Sequence, residues 1–446
     1  MSDSSLDKTD PPACCRSIRW LVVALCLAFV LRLGVAFYWQ AKFAGDGFHF
    51  GDSEGYWILA RTIAKGEAYE FGKGGAAVFR APGYPALLAP IFVVLGDDPP
   101  VMVARVQAVL FGTLAVFGVW LLARRLFGER AATLAAFMVA VYPGLIALSV
   151  PILTEAPFCG LLPFQLWLWV LAWEAPTWRR CLLLALVVGL LGAAITLVRP
   201  SWLLFMPFAI VSGTVFGRPK GRHVLIGAGI MVGLVVGMMP WWIRNARVTG
   251  HFVPTTLQVG ASLYDGWNPN ATGASDMSYV PAFEAEEREA EAKGSVDVED
   301  TFEYRLNRRM RDAAVSWARE NPGTVLRLAA VKFVRIWNFW PNEPAFSAPV
   351  VRLAVAVTYV PLLVLGLLGV WKTIGRGWPY VLCFLPAVYL TLLHMIFIGS
   401  LRYREPAMLG LIVLAAGAAV SLAGYRTMAD GKNGHLREEA IDCEPS

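Results

Sequence analysis

Charged residues are scarce in this sequence. Only 16% of its 446 residues are Asp, Glu, Lys or Arg, whereas 57% are hydrophobic and the mean hydropathy is +0.54. Soluble domains carry about 25% charged residues, so the composition excludes an ordinary soluble protein and predicts a polytopic membrane protein. The net charge of +6 fits Lys and Arg gathered in cytoplasmic loops, and we expect no nucleic-acid partner.

Cysteine is also sparse, and no CxxC pair is present. The seven cysteines fall outside the long external segments predicted below, so we expect no disulfide framework and no cysteine metal site. The polar start leads into an apolar run without a small-residue cleavage site, which argues against a cleavable signal. No internal repeat is visible, and transporters often show one.

Long apolar runs dominate what is present. Crossing a bilayer takes about 20 mostly apolar residues. We predict spans near 18–39, 103–123, 131–150, 157–173, 181–198, 201–216, 224–243, 350–371, 378–398 and 405–424. A shorter run at 83–96 is interpreted as a re-entrant or interfacial helix. The predicted fold class is an all-α polytopic membrane protein, a bundle of about ten or more helices.

Lys and Arg set the predicted orientation. With the N-terminus inside, the short inside loops near 124–130, 179–180, 218–222 and 372–376 all carry Lys or Arg, as the positive-inside rule requires. Residues 1–17 and 425–446 then form cytoplasmic tails around a membrane domain at 18–424. Two long segments, 40–102 and 244–349, lie outside and carry juxtamembrane helices, including a pair broken at Asn321–Pro322.

Polar residues collect at the predicted outer ends of the spans. Asp52 and Glu54 lie in GDSEGYW, and Glu155 lies in PILTEAPF. The arginines at this face are Arg80, Arg199, Arg244, Arg402 and Arg404. Ionisable residues at membrane depth are costly and suggest function. Any one of them has a plainer explanation, an interface anchor for an arginine or a helix cap for Thr154–Glu155, so the hypothesis rests on the set.

Such a set suits transfer of a sugar from a lipid-linked phosphate. A guanidinium binds phosphate oxygens bidentately, and a carboxylate can take a proton from an acceptor hydroxyl or amine. A phosphate leaving group held by arginine needs no protonation. The chemistry predicted is therefore a single displacement at the anomeric carbon, with inversion, from a polyprenyl-phosphate sugar.

An ordered series of motifs carries a family resemblance. It runs GDSEGYWILARTIAKGEAY, FRAPGYPALLAP, AVYPGLIALSVPILTEAPF, AAITLVRPSW, MMPWWIRNARVTG and RYREPAMLG over roughly 18–424. The series resembles the GT-C membrane glycosyltransferases, in the glycosyltransferase family 39-like branch of the protein O-mannosyltransferases and aminoarabinose lipid A transferases. Each motif alone is weak, and the order is specific for the family rather than for the substrate.

The resemblance implies roles for particular residues. Asp52 matches the catalytic base of the first external loop, while Glu54 departs from the family pattern because Ser53 separates the two acids. Glu155 matches a further active-site acid. Tyr56 and Tyr84 are expected to line the acceptor pocket. The arginines expected to face the donor phosphate are Arg80, Arg199, Arg244, Arg402 and Arg404.

The resemblance leaves the cofactor and the substrates open. A divalent metal is one option, with Asp52 and Glu54 as its candidate ligands. The expected partners are the polyprenyl-phosphate donor, a glycan, lipid or protein acceptor, and the bilayer of the cytoplasmic membrane, with the active site on the external side. The alternatives are a polyprenyl-linked polysaccharide polymerase or ligase and, less favoured, a transporter. A polymerase would not require an acid in the first loop.

Overall fold

The computed structural model describes residues 13–43, 48, 51–70, 72, 75–296, 299–340 and 348–430. Seventeen α-helices form this described part of the chain. They are α1 Ala13–Lys42, α2 Gly51–Lys65, α3 Gly83–Leu95, α4 Val101–Phe127, α5 Glu129–Val141, α6 Pro143–Ala147, α7 Glu155–Glu174, α8 Trp178–Val198, α9 Phe205–Phe216, α10 Lys220–Thr249, α11 Val259–Gly266, α12 Val280–Ala292, α13 Phe302–Glu320, α14 Pro322–Trp337, α15 Pro349–Thr373, α16 Trp378–Ile396 and α17 Glu405–Asp430. The predicted all-α class is confirmed, and the predicted tails lie mostly outside the described residues.

Eight helices in the described ranges are long and apolar enough to cross a membrane: α1, α4, α7, α8, α10, α15, α16 and α17. The predicted span at 131–150 is wrong, because α5 ends at Val141. Tyr142 is extended (φ −71°, ψ 115°), the conformation that a following proline favours. The predicted span at 201–216 is also shorter than expected: a 3-10 turn at Pro200–Trp202 precedes the twelve-residue α9.

A buried arginine occupies the break after α5. Arg32 of α1 is fully buried and donates to the carbonyl oxygens of Val139 at 3.0 Å and Ala140 at 3.1 Å. Those carbonyls lack partners within a helix that stops there. Arg32 lies ten residues before the end of α1, or about 15 Å along the helix at 1.5 Å per residue. That distance is about half the thickness of the hydrocarbon core of a bilayer. The guanidinium therefore satisfies a helix end that water would otherwise have to reach.

Two spans approach each other through glycine. A Cβ on Gly189 of α8 would lie 2.1 Å from the carbonyl oxygen of Ile230, and one on Gly233 of α10 would lie 2.3 Å from that of Leu186. Small residues allow such close backbone contact between membrane helices. The close packing of α8 against α10 therefore requires glycine at these two positions.

The two external segments fold against each other. The first carries α2 and the short α3, and the second carries α11 to α14, with the predicted break at Asn321–Pro322 confirmed. Glu303 of α13 accepts hydrogen bonds from the backbone N–H groups of Ala77 at 3.0 Å and Val78 at 3.1 Å. The N–H of Leu257 donates to the Val78 carbonyl at 3.0 Å. These bonds fix the loop that carries Arg80.

The loops predicted to face the cytoplasm share the opposite end of the bundle. Arg125 forms an ion pair with Glu174 at 2.5 Å, and the Tyr380 hydroxyl donates to the Leu126 carbonyl at 3.2 Å. The polar residues of the two external segments are thus separated from the basic loops by the length of the spans. Which end faces the cytoplasm remains a prediction.

Candidate active site

Asp52 lies in the first turn of α2 and is oriented by Arg80. The Nη2 of Arg80 donates to the Asp52 Oδ1 at 2.6 Å, and its Nη1 donates to the Gln258 Oε1 at 3.1 Å. The side chain of Asp52 is 42% exposed, while that of Arg80 is only 10% exposed. Arg80 therefore fixes one oxygen of a carboxylate that remains accessible to solvent.

Glu54 does not join this group. Residues two apart on a helix do not face the same side, and Glu54 is exposed whereas Asp52 is half-buried. The two acids therefore do not converge as a shared pair of metal ligands. Within the residues that the structure describes, no group of three His, Cys, Asp or Glu side chains could hold a metal ion.

Glu155 is buried between two arginines. Its Oε1 lies 3.2 Å from the Nη1 of Arg199 and 3.4 Å from the Nε of Arg402. Arg199 also donates to the Thr154 hydroxyl at 3.0 Å. Thr154 makes no capping bond to α7, so the helix-cap explanation for this pair does not hold. Glu155 instead holds two guanidinium groups side by side.

Tyr56 and Tyr84 pack against each other beside Arg80. Their ring centroids are 5.2 Å apart, and the Arg80 guanidinium carbon is 5.1 Å from the Tyr56 centroid. Burial raises the pKa of both phenols, and Asp52 and Glu155 raise that of Tyr56 further. Both hydroxyls thus stay protonated near neutral pH and can donate a hydrogen bond.

Arg244 and Arg404 lie outside the cluster. Arg244 donates to the backbone carbonyls of Ala77 at 3.0 Å and Tyr69 at 3.1 Å. Arg404 lies 3.4 Å from Glu405 and donates to the Asn338 carbonyl at the end of α14. The structure thus places both guanidinium groups on protein partners that hold loops, and a donor-binding role for them stays a prediction.

Three residues that sequence reasoning missed complete the surroundings. The Tyr403 hydroxyl accepts from the Nη2 of Arg402 at 3.0 Å, and the His394 ring stacks on Tyr403 at 4.0 Å. Gln258 is the third, through its bond to Arg80. Tyr403 stands between two arginines already singled out, which was an available signal. Gln258 and His394 lie in stretches with no such pattern.

The electrostatic balance of the cluster is positive. Burial disfavours the charge on Arg402, but Tyr403 and Glu155 raise its pKa above the ordinary value. Burial likewise opposes the charge on Arg80, and Tyr56 and Asp52 raise its pKa. The three guanidinium groups of Arg80, Arg199 and Arg402 and the two carboxylates of Asp52 and Glu155 leave one net positive charge. That excess suits a ligand with a single negative charge, such as a phosphodiester.

Residues 80–243 match a family model, that of the dolichyl-phosphate-mannose-protein mannosyltransferases. The matched region includes Arg80, Glu155 and Arg199, but not Asp52 or Arg402. The comparison with curated proteins finds no match.

Solved structures share the fold. The oligosaccharyltransferase AglB from Archaeoglobus fulgidus, in complex with an inhibitory peptide and a dolichol-phosphate, aligns with a TM-score of 0.57 at 14% identity, over 95% of this chain and 52% of that one. Its apo form gives 0.58 at 13% identity, over 95% and 53%. This chain thus spans about half the length of that enzyme. ArnT from Cupriavidus metallidurans bound to undecaprenyl phosphate aligns with a TM-score of 0.43 at 17% identity, over 93% of this chain and 79% of that one.

The family match and the shared fold agree with the resemblance that the motifs carry. Residues 80–243 are similar to the dolichyl-phosphate-mannose-protein mannosyltransferases, and the fold is similar to that of the oligosaccharyltransferase AglB.

Proposed function

We propose that this protein transfers a sugar from a polyprenyl-phosphate carrier to an acceptor at the outer face of the cytoplasmic membrane. The arrangement that carries the proposal is an accessible, arginine-oriented aspartate beside a buried arginine cluster with one excess positive charge. The family match to dolichyl-phosphate-mannose-protein mannosyltransferases supports a phosphate-linked sugar donor. The basic loops at the opposite end of the bundle support the external position.

Arg199 and Arg402 would hold the phosphate of the donor. Their guanidinium groups meet at Glu155, so a phosphate oxygen can be bound by both together. Glu155 keeps the two cations from repelling each other while no donor is bound. The site then needs no added proton to release polyprenyl phosphate, because the leaving anion is already matched by arginine.

Asp52 would act as the base. The acceptor oxygen or nitrogen attacks the anomeric carbon, its proton passes to Asp52, and the bond from that carbon to the phosphate oxygen breaks. The electron pair of that bond leaves with polyprenyl phosphate. Attack from the side opposite the phosphate inverts the anomeric carbon. Tyr56 packs beside Arg80, the partner of Asp52, and against Tyr84. Both tyrosines would donate hydrogen bonds to the sugar or the acceptor.

Transfer by the purified protein in nanodiscs tests the proposal. A panel of polyprenyl-phosphate sugars is supplied with a crude envelope acceptor, and release of polyprenyl phosphate is followed for wild type and Asp52→Asn. Wild type should release it with one donor, and Asp52→Asn should lose at least 100-fold in rate, the range that a general base contributes. Asp97→Asn is the matched control, since Asp97 lies in the same external segment with a 69% exposed side chain.

Other outcomes would redirect the assignment. Equal rates for wild type and Asp52→Asn would remove the aspartate from the mechanism and leave Glu155 as the remaining acid. Glu54→Gln in the same assay separates the two acids of α2, since only Asp52 contacts Arg80. Release from a donor that already carries several sugars would favour the alternative, a polysaccharide polymerase or ligase.

A further inference from the structure

The loop of residues 397–404, here called the Arg402 loop, joins α16 to α17 and carries Arg402 to Glu155. Part of the second external segment binds it. The N–H of Gly399 donates to the Gly273 carbonyl at 2.9 Å, and the Nε of Arg335 donates to the Gly399 carbonyl at 3.3 Å. Both backbone polar groups of Gly399, its N–H and its carbonyl, are therefore held by the external segment.

A buried lysine strengthens this junction. Lys332 of α14 has no exposed surface, and its ammonium donates to the carbonyls of Gly266 at 2.9 Å and Ile396 at 2.7 Å. Gly266 is the last residue of α11, and Ile396 is the last residue of α16. A cation is favourable at a helix C-terminus, where carbonyls lack partners. One side chain thus joins the end of an external helix to the end of a span, immediately before the Arg402 loop.

The packing leaves no room for the loop to shift. A Cβ on Gly399 would lie 2.7 Å from the Lys332 carbonyl oxygen, and a Cβ on Gly266 would lie 2.4 Å from that of Phe397. Real Cβ atoms do not approach so closely. The backbones of α14, the end of α11 and the Arg402 loop are in direct contact, so a displacement of one must move the others.

We propose that Lys332 is a positioning residue for Arg402, through which the external segment that meets the acceptor sets the geometry of the phosphate site. This role rests on the proposed function in one respect, the assignment of the donor phosphate to Arg402. The ammonium of Lys332 donates to two backbone carbonyls, and in this role it would touch no substrate. Burial lowers its pKa to about 8, and either protonation state of the amine has enough N–H groups for the two carbonyls.

Two measurements on Lys332→Met test this coupling. Amide hydrogen exchange of residues 397–404 reports whether Lys332 holds the Arg402 loop, and it needs no activity assay. Exchange at Gly399 should be at least tenfold faster in Lys332→Met than in wild type. It should be unchanged in Lys65→Met, since Lys65 lies in the other long segment and pairs with Asp97. Unchanged exchange in Lys332→Met would overturn the proposal.

Binding of polyprenyl phosphate then shows whether Lys332 acts through Arg402. Lys332→Met should weaken Kd about tenfold, and adding it to Arg402→Gln should change Kd by less than twofold, because the guanidinium that it positions is already gone. Independent effects would multiply instead, and a multiplied loss would overturn the proposal. If wild type binds no polyprenyl phosphate while exchange still rises in Lys332→Met, the proposed function fails. The positioning of the Arg402 loop by Lys332 would then still hold. Gly399→Ala provides the same pair of measurements if Lys332→Met does not fold.

Discussion

Replacing Glu155 by glutamine removes one charge from the most buried ionic contact of the site. The carboxylate lies 3.2 Å from Arg199 and 3.4 Å from Arg402. At an effective dielectric constant of about 20, each contact has a gross Coulomb energy of roughly 5 kcal/mol. Desolvation offsets most of that energy, and breaking a buried pair by removing one partner typically costs about 3–5 kcal/mol. We therefore expect Glu155→Gln to lower the free energy of unfolding by about 3 kcal/mol.

The same substitution should strengthen binding of the leaving group. With Glu155 neutral, the cluster gains one positive charge, and a phosphate between Arg199 and Arg402 no longer competes with the carboxylate. We expect polyprenyl phosphate to bind about fivefold more tightly, about 1 kcal/mol, and turnover to slow because the product stays bound. The ligand should then raise the unfolding temperature of Glu155→Gln more than that of wild type.

The assay is thermal unfolding in nanodiscs with and without polyprenyl phosphate, together with a direct Kd. The double variant Glu155→Gln with Arg199→Gln restores the charge balance and should recover part of the lost stability. An unchanged unfolding temperature for Glu155→Gln would show that the two arginines do not depend on this carboxylate. Weaker binding of polyprenyl phosphate would refute the placement of the phosphate between them.

Three further outcomes follow from other contacts. Arg244→Gln should reduce kcat/KM about tenfold or more and speed amide exchange over 69–78, because two carbonyls of the Arg80 loop lose their donor; unchanged exchange would contradict this. Gly189→Val should destabilise the protein by about 3 kcal/mol or prevent folding, since even a Cβ would lie 2.1 Å from the Ile230 carbonyl oxygen; a matched Gly221→Val change in open space should not. Burial lowers the pKa of Lys332 from 10.5 to about 8, against the opposing effect of Asp265, so the folded state binds this proton less tightly than the unfolded state. The free energy of unfolding should therefore rise between pH 8 and 10.5, by up to about 3 kcal/mol. Lys332→Arg should flatten the matching rise in unfolding temperature.

The fold was predictable where one physical requirement applies to every span. A span must be apolar over about 20 residues, so eight of the predicted spans could be located from composition alone. The run at 131–150 met the same demand, yet Pro143 divides it and Arg32, about a hundred residues earlier, satisfies the break. The hydropathy of residues 131–150 gives no information about Arg32, which lies far away in the sequence.

The site was predictable as a set of residue types and less so as a set of contacts. Asp52 pairs with Arg80, and Glu155 pairs with both Arg199 and Arg402. Arg244 and Arg404 have the same residue type and the same predicted depth, but their guanidinium groups turn to backbone carbonyls. Side-chain direction depends on loop geometry, and a sequence pattern does not determine it. Lys332 lies in one of the predicted juxtamembrane helices, and its burial follows only from tertiary packing.

The pairing of Arg32 with α5 bears on how the chain enters the membrane. The carbonyls that accept from Arg32 belong to residues 107 and 108 positions later, so the first span is synthesised well before its partner exists. An arginine near the centre of an inserted helix costs about 2.5–3.5 kcal/mol. We therefore expect the first span to reach its final position only after α5 has been synthesised, because the carbonyls that accept from Arg32 lie in that helix.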